Sequence, residues 1–163
     1  QAERSKQLRV LTSEAIAKLE PWVEAVPDDA LAAEMLGAAY GLNNDFDAAA
    51  RTWRQALEHE PHNEHLLRRL AVTSHEHSLY EEGLAYAQRL VEVNPWNHMY
   101  QGRLAHMLAQ RAEYPTAIQA GERAVEVRPP DFWVRGWLAE VYRLAGQPER
   151  RLEFCQQSFG IIA

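Results

Sequence analysis

EHEPHNEHLLRRL, residues 58–70, holds a break between two helical patterns. Pro61 disfavours helix at the residue before it, and Asn63 is a residue type that caps the start of the next helix. Three histidines crowd the break: His59, His62 and His65. Taken alone, the segment has two readings, a metal site or a joint. The prolines choose between them. Pro27, Pro61, Pro95 and Pro129 follow one another at intervals of 34 residues. A fixed period of that length marks a repeat architecture, in which each unit buries its apolar face against the next.

Four units then run 28–61, 62–95, 96–129 and 130–163, each a helical stretch, a polar break, a second helical stretch and a stop. In the first unit Ala33, Leu36, Gly37 and Tyr40 recur at helical spacing and mark one buried face. The break NNDFD, residues 43–47, is rich in residues that tolerate turn geometry and cap helices. Ala49, Trp53, Ala56 and Leu57 give the buried face of the second helix. Columns across units say more. Leu36, Leu70, Leu104 and Leu138 share one position; Gly37, Ala71, Ala105 and Ala139, all small, share the next. The small column predicts a close crossing of two helix backbones. Ala49, Gly83 and Ala117 form a second small column, and Phe46, Tyr80 and Tyr114 put a ring at the start of each second helix. Pro115 and Pro148 fall near first turns, where a missing donor costs nothing.

These columns resemble those of tetratricopeptide repeats (TPR). The resemblance rests on Leu36-Gly37, Tyr40, Ala49, Trp53, Ala56 and Pro61, with echoes in Ala71, Tyr80, Leu90 and Pro95, and in Ala105, Tyr114, Ala117, Ala124 and Pro129. It implies an all-α solenoid of antiparallel helix pairs wound into a right-handed superhelix. First helices would line its concave face. Residues 28–163 are expected to make a single domain of four repeats. In residues 1–27, Ala15, Leu19 and Trp22 fall in second-helix columns, so this segment reads as a partial repeat or cap, with a kink or early stop at Pro21. At the other end Arg151 replaces the small residue and Cys155 the aromatic, which suits either a capping helix or an interior one.

The resemblance places partner binding on the concave face. The first-helix positions concerned begin with Glu34, His65, Arg68 and Val72, with His75 at the rim. Met99, Gly102, His106 and Gln110 follow in the third unit, with Trp96 at the preceding turn. Trp133, Gly136 and Glu140 complete the rows, with Arg143 at the rim. Gly102 and Gly136 stand in mid-helix, where glycine costs about 1 kcal/mol against alanine. Beside Trp96, Met99 and Trp133 they suit either a recess for an apolar anchor of a bound peptide or tight helix contact with the tryptophans packed between repeats. Glu34 and Arg68 share a row, which allows them either to pair across the groove or to stand as solvated charges. TPR cochaperones clamp a terminal carboxylate with Lys and Asn on the first groove helix; Glu34 and Ala38 stand there, which argues against that ligand.

Other classes find little support. No apolar run approaches the ~20 residues that cross a bilayer. The net charge is −6, with no basic face for phosphates, so nucleic acid is not expected. Neither a metal nor another cofactor is expected: the histidines sit on different elements, and no Cys pair or HExxH accompanies them. Cys155 is the one cysteine, which forbids an intrachain disulfide and suits a cytoplasmic setting as well as an oxidising one, with the cytoplasm slightly favoured. The opening QAERSK carries no initiator Met or secretory pattern, so a piece of a longer protein is expected. No nucleophile elbow or glycine-rich phosphate loop points to an enzyme. The sequence therefore predicts a non-enzymatic module that binds a peptide or helix of another protein. A scaffold, spacer or recruiting arm of a larger enzyme or assembly is the alternative, and self-association through an uncapped end is a further route.

Overall fold

The computed structural model describes the backbone of residues 2–159 and the side chains of residues 7–158. The described chain is all α-helix joined by short turns: α1 (Ala2–Ala25), α2 (Ala30–Leu42), α3 (Phe46–His59), α4 (Glu64–Glu76), α5 (Tyr80–Val93), α6 (His98–Gln110), α7 (Tyr114–Val127), α8 (Phe132–Leu144) and α9 (Pro148–Phe159). It resolves into two compact units, Gln1–Ser78 and Leu79–Ala163. In the first, α1 to α4 pack in sequence as antiparallel neighbours, and α2 also touches α4. In the second, α5 to α9 do the same, and α6 also touches α8.

The 34-residue period is visible in the joints. Asp29, Asn63, Asn97 and Asp131 are the N-caps of α2, α4, α6 and α8. Each accepts a backbone N–H from the first turn, such as Ala32 N to Asp29 at 2.9 Å and Leu66 N to Asn63 at 3.1 Å. These bonds satisfy donors that helix starts leave unpaired. Each second helix ends two residues before its proline: α3 at His59, α5 at Val93 and α7 at Val127. Asn44, Ser78, Ala112 and Gly146 sit in the turns between first and second helices. All four are left-handed, with φ of 62, 62, 62 and 67°.

The core of the first unit comes from Ala33, Leu36, Ala49, Trp53, Leu66 and Leu70, all buried. That of the second gathers Leu84, Ala105, Leu108, Ala117, Leu138 and Val141, with Leu104 packed partly against it. The small columns are buried at Ala71, Ala105, Ala49 and Ala117. At Gly37 the reason differs from the expected backbone crossing. What fills the space there is the indole of Trp53, a side chain rather than a helix backbone.

Pro21 does not stop α1, which continues to Ala25. The last turn is anchored from outside: Trp22 Nε1 donates to the Asp29 carboxylate at 2.9 Å. That contact adds a bond to the turn from which the proline removes one. A second tether repeats across the molecule. Tyr40 on α2 donates to Glu20 on α1. Three repeat lengths later, Tyr142 on α8 donates to Glu122 on α7 at 2.8 Å. Glu20 thus stands in α1 where Glu122 stands in α7, which gives α1 the register of a second helix.

Candidate partner-binding site

Within the first unit, α2 and α4 wall a cavity of about 440 Å³, with Phe46 and Trp53 from α3 contributing to its lining. Its apolar lining includes Ala38, Leu42, Phe46, Trp53 and Val72. Trp53 is held by packing under Gly37 and by Nε1 donating to the Glu34 carbonyl at 3.4 Å. Gly41 also lines the cavity, and a Cβ there would meet no atom within 4 Å. Arg68, Arg69, Thr73 and Glu76 supply the polar lining.

Of the two readings of Glu34 and Arg68, the pair does not form. Glu34 is engaged by the next residue, Arg69, whose Nε lies 3.2 Å from its carboxylate; His65 Nδ1 lies 3.9 Å away. One residue along a helix is a turn of about 100°, so Arg68 is aimed elsewhere. It lines the cavity, and among the described residues no hydrogen bond or ion pair engages it. The arrangement is an apolar hollow with an uncompensated guanidinium beside it. Val72 lies in the wall, and His75 is half-buried in the last turn of α4.

In the second unit the anticipated recess divides. Gly102 is buried, and a Cβ on it would lie 2.6 Å from Cε3 of Trp137 and 3.5 Å from Val134. Its space is filled by a ring rather than open to a ligand. Trp137 is capped in turn by Arg103, whose guanidinium carbon is 5.6 Å from the ring centre. Gly136 does face open space, with nothing within 4 Å. On the same helix Trp133 is 66% exposed and touches Phe132 edge-on at 6.2 Å. Arg143 forms a forked pair with Glu140 at 2.6 and 2.8 Å. That hydrogen bonding holds the Glu140 carboxyl below the usual carboxylate range, and the charge of nearby His106 adds to the effect. So Gly136, Glu140, Arg143 and Trp133 share α8, and His106 of α6 is near Glu140. Met99 is half-buried, and Gln110 is exposed at the end of α6.

Trp96 belongs to a different place. It is 79% exposed and lines a hollow of about 310 Å³ with Pro95, Gln101, Arg123, Glu126 and Val127. The Gln101 side chain is buried there and donates to the Pro95 carbonyl at 3.2 Å. Among the described residues no three His, Cys, Asp or Glu side chains are grouped to hold a metal ion, and no helix is long and apolar enough to cross a membrane.

The Trp53 and Gly41 contributions to the first cavity were not anticipated. Gly41 carried the same signal as Gly102 and Gly136, a glycine inside an amphipathic helix. Trp137 was also missed; its signal was Gly102, whose missing side chain leaves room for one large ring.

The geometry defines a class: helix hairpins repeating every 34 residues, the TPR fold. Solved structures with this fold include MamA, a TPR-repeat protein. MamA of Desulfovibrio magneticus RS-1 superposes with a TM-score of 0.80 at 16% identity, over 96% of this chain and 94% of that one. MamA AMB-1 gives 0.77 at 24% identity, over 96% and 91%. MamA MSR-1 gives 0.76 at 23% identity, over 97% and 90%. No family model matches the sequence, and no curated protein sequence matches it.

Proposed function

We propose that this chain is a non-enzymatic protein-interaction module that grips a segment of another protein in the cavity between α2 and α4. The supporting observation is the cavity's chemistry. Trp53, Phe46 and Val72 offer an apolar seat of side-chain size, and Arg68 adds an unspent charge. Recognition sites commonly combine a mostly apolar hollow with a few placed polar groups.

A library of displayed peptides selected against the whole chain tests this. Wild type should enrich peptides sharing an apolar anchor, and Gly41→Leu should lose them. That leucine projects into open space and replaces a poor helix former, so the helical circular dichroism should hold. Selection that enriches nothing, or enriches the same peptides on the Gly41→Leu chain, would refute the proposal.

A further inference from the structure

Leu31, Met35, Ala38 and Leu42 of α2 follow at intervals of four, three and four residues. Those intervals set side chains on one helical stripe, the pattern by which one helix packs along another. Yet Leu31, Met35 and Leu42 are 67%, 53% and 59% exposed. The opposite face of α2, with Ala33, Leu36 and Gly37, is buried. The helix is therefore apolar on two sides, and only one of them serves the unit's core. A contiguous exposed apolar stripe, unlike single scattered apolar residues, marks an interaction surface.

Both ends of the stripe open into hollows. Leu31 and Met35 border one of about 300 Å³ that Leu19 and Trp22 complete. Ala38 and Leu42 border the larger cavity already described. The two are seven residues apart on α2, about 10 Å along its axis. A cation stands at each: Lys18 at the first and Arg68 at the second. Among the described residues neither has a hydrogen-bonded or ion-paired partner. The acids nearby are mostly committed. Asp29 accepts from Trp22 and from Ala32 N, and Glu34 is held by Arg69. Glu76 stands uncommitted in the lining of the larger cavity.

We infer that the occupant of this stripe is an amphipathic helix of a partner protein. It carries two apolar anchors seven residues apart, with an acidic residue flanking each. This rests on the groove reading above and narrows it. A helix matches the spacing of the hollows, which an extended strand with alternating side chains does not. Its carboxylates complete Lys18 and Arg68.

The test titrates the full chain into a labelled synthetic helix of about 21 residues, three heptads. The peptide bears Leu at two positions seven apart and Glu one turn outside each. Two controls keep the composition, one with the anchors at alternate positions and one with Lys for Glu. The helix should bind at least about tenfold tighter than either control. The Lys18→Glu/Arg68→Glu chain should invert the charge preference while its circular dichroism stays unchanged. If the alternating peptide binds as well, and Gly41→Leu still abolishes binding, the groove reading survives and the helical partner is wrong. If no peptide of either pattern binds, both fall together. A chain that dimerises alone in sedimentation, with the dimer lost on Met35→Glu, has a second copy as its occupant, which overturns the inference.

Discussion

The indole of Trp53 occupies the space that a side chain at residue 37 would need, so Gly37 and Trp53 fit as one small–large pair. The second unit solves the same position differently. There Ala105 faces Gly121, and Leu138 fills the room, with its Cδ1 2.8 Å from where a Gly121 Cβ would stand. In each unit the missing glycine side chain is matched by a larger neighbour, from α3 in one and from α8 in the other. This complementarity is what the close-packed interior demands.

Gly37→Ala should therefore destabilise the chain by about 1–3 kcal/mol, even though alanine is the better helix former. Trp53→Ala alone should cost about 3–5 kcal/mol through the cavity it leaves. In the Trp53→Ala background, Gly37→Ala should cost nothing further. Urea denaturation of the four proteins gives the coupling, expected within about 0.5–3 kcal/mol. Equal costs in both backgrounds would dissolve the pairing.

Gly102 and Gly136 look alike in sequence and should behave oppositely. Gly102→Ala drives a methyl toward Trp137 and should lower stability by about 1–3 kcal/mol. Gly136→Ala meets open space and should raise stability by up to about 1 kcal/mol. Paired thermal melts decide it. A stabilising Gly102→Ala would mean that the Trp137 ring is free to move aside.

The Tyr142 hydroxyl is pushed up to about 12, first by burial and then by its bond to Glu122. An unfolded tyrosine titrates near 10. The folded value is the higher one, so the stability it contributes is complete below about pH 10. It fades as pH rises toward 12. Tyr142→Phe should flatten that alkaline limb. At neutral pH it should cost about 1.5–3 kcal/mol, as expected for a bond to a charged acceptor. Denaturation midpoints from pH 8 to 12 would show it; parallel curves for the two proteins would contradict it.

Asp131 titrates below the ordinary 3.8, chiefly because the Val134 N–H donates to it, with His98 contributing at 3.1 Å. Here the folded value is depressed. Its stabilisation is present above pH ~4 and is lost as pH falls through the lowered value. Asp131→Asn keeps an acceptor for the helix start but loses the charge facing His98. It should cost less than Asp131→Ala, for which about 1 kcal/mol is typical of a lost cap. Both variants should show a shallower loss of stability between pH 5 and 2 than the wild type. An unchanged acid limb would exclude the role.

Much of the fold was legible because periodicity survives at every level. The four prolines, the leucine column and the caps recur at one interval, and each has a local physical cause that sequence alone reveals. The candidate site was legible only in outline. Arg68 and Val72 were anticipated, but the partner that Glu34 takes is one residue from the one considered. Two adjacent arginines have equal reach on paper, and only packing decides which one turns toward the acid. The two readings of Gly102, open recess or close packing, could not be separated for a related reason. A missing side chain reads identically whether the gap is open or occupied, and the ring that occupies it lies 35 residues further along the chain.

The turn at Ala112 has one more implication. Its left-handed backbone suits glycine or asparagine, and a Cβ there carries a penalty of roughly 1–2 kcal/mol. The tip between α6 and α7 is thus clasped from outside by its flanking helices rather than folded by its own preference. It is the natural seam for splicing in a fluorescent or affinity reporter, because the inserted loop would relieve a strained residue.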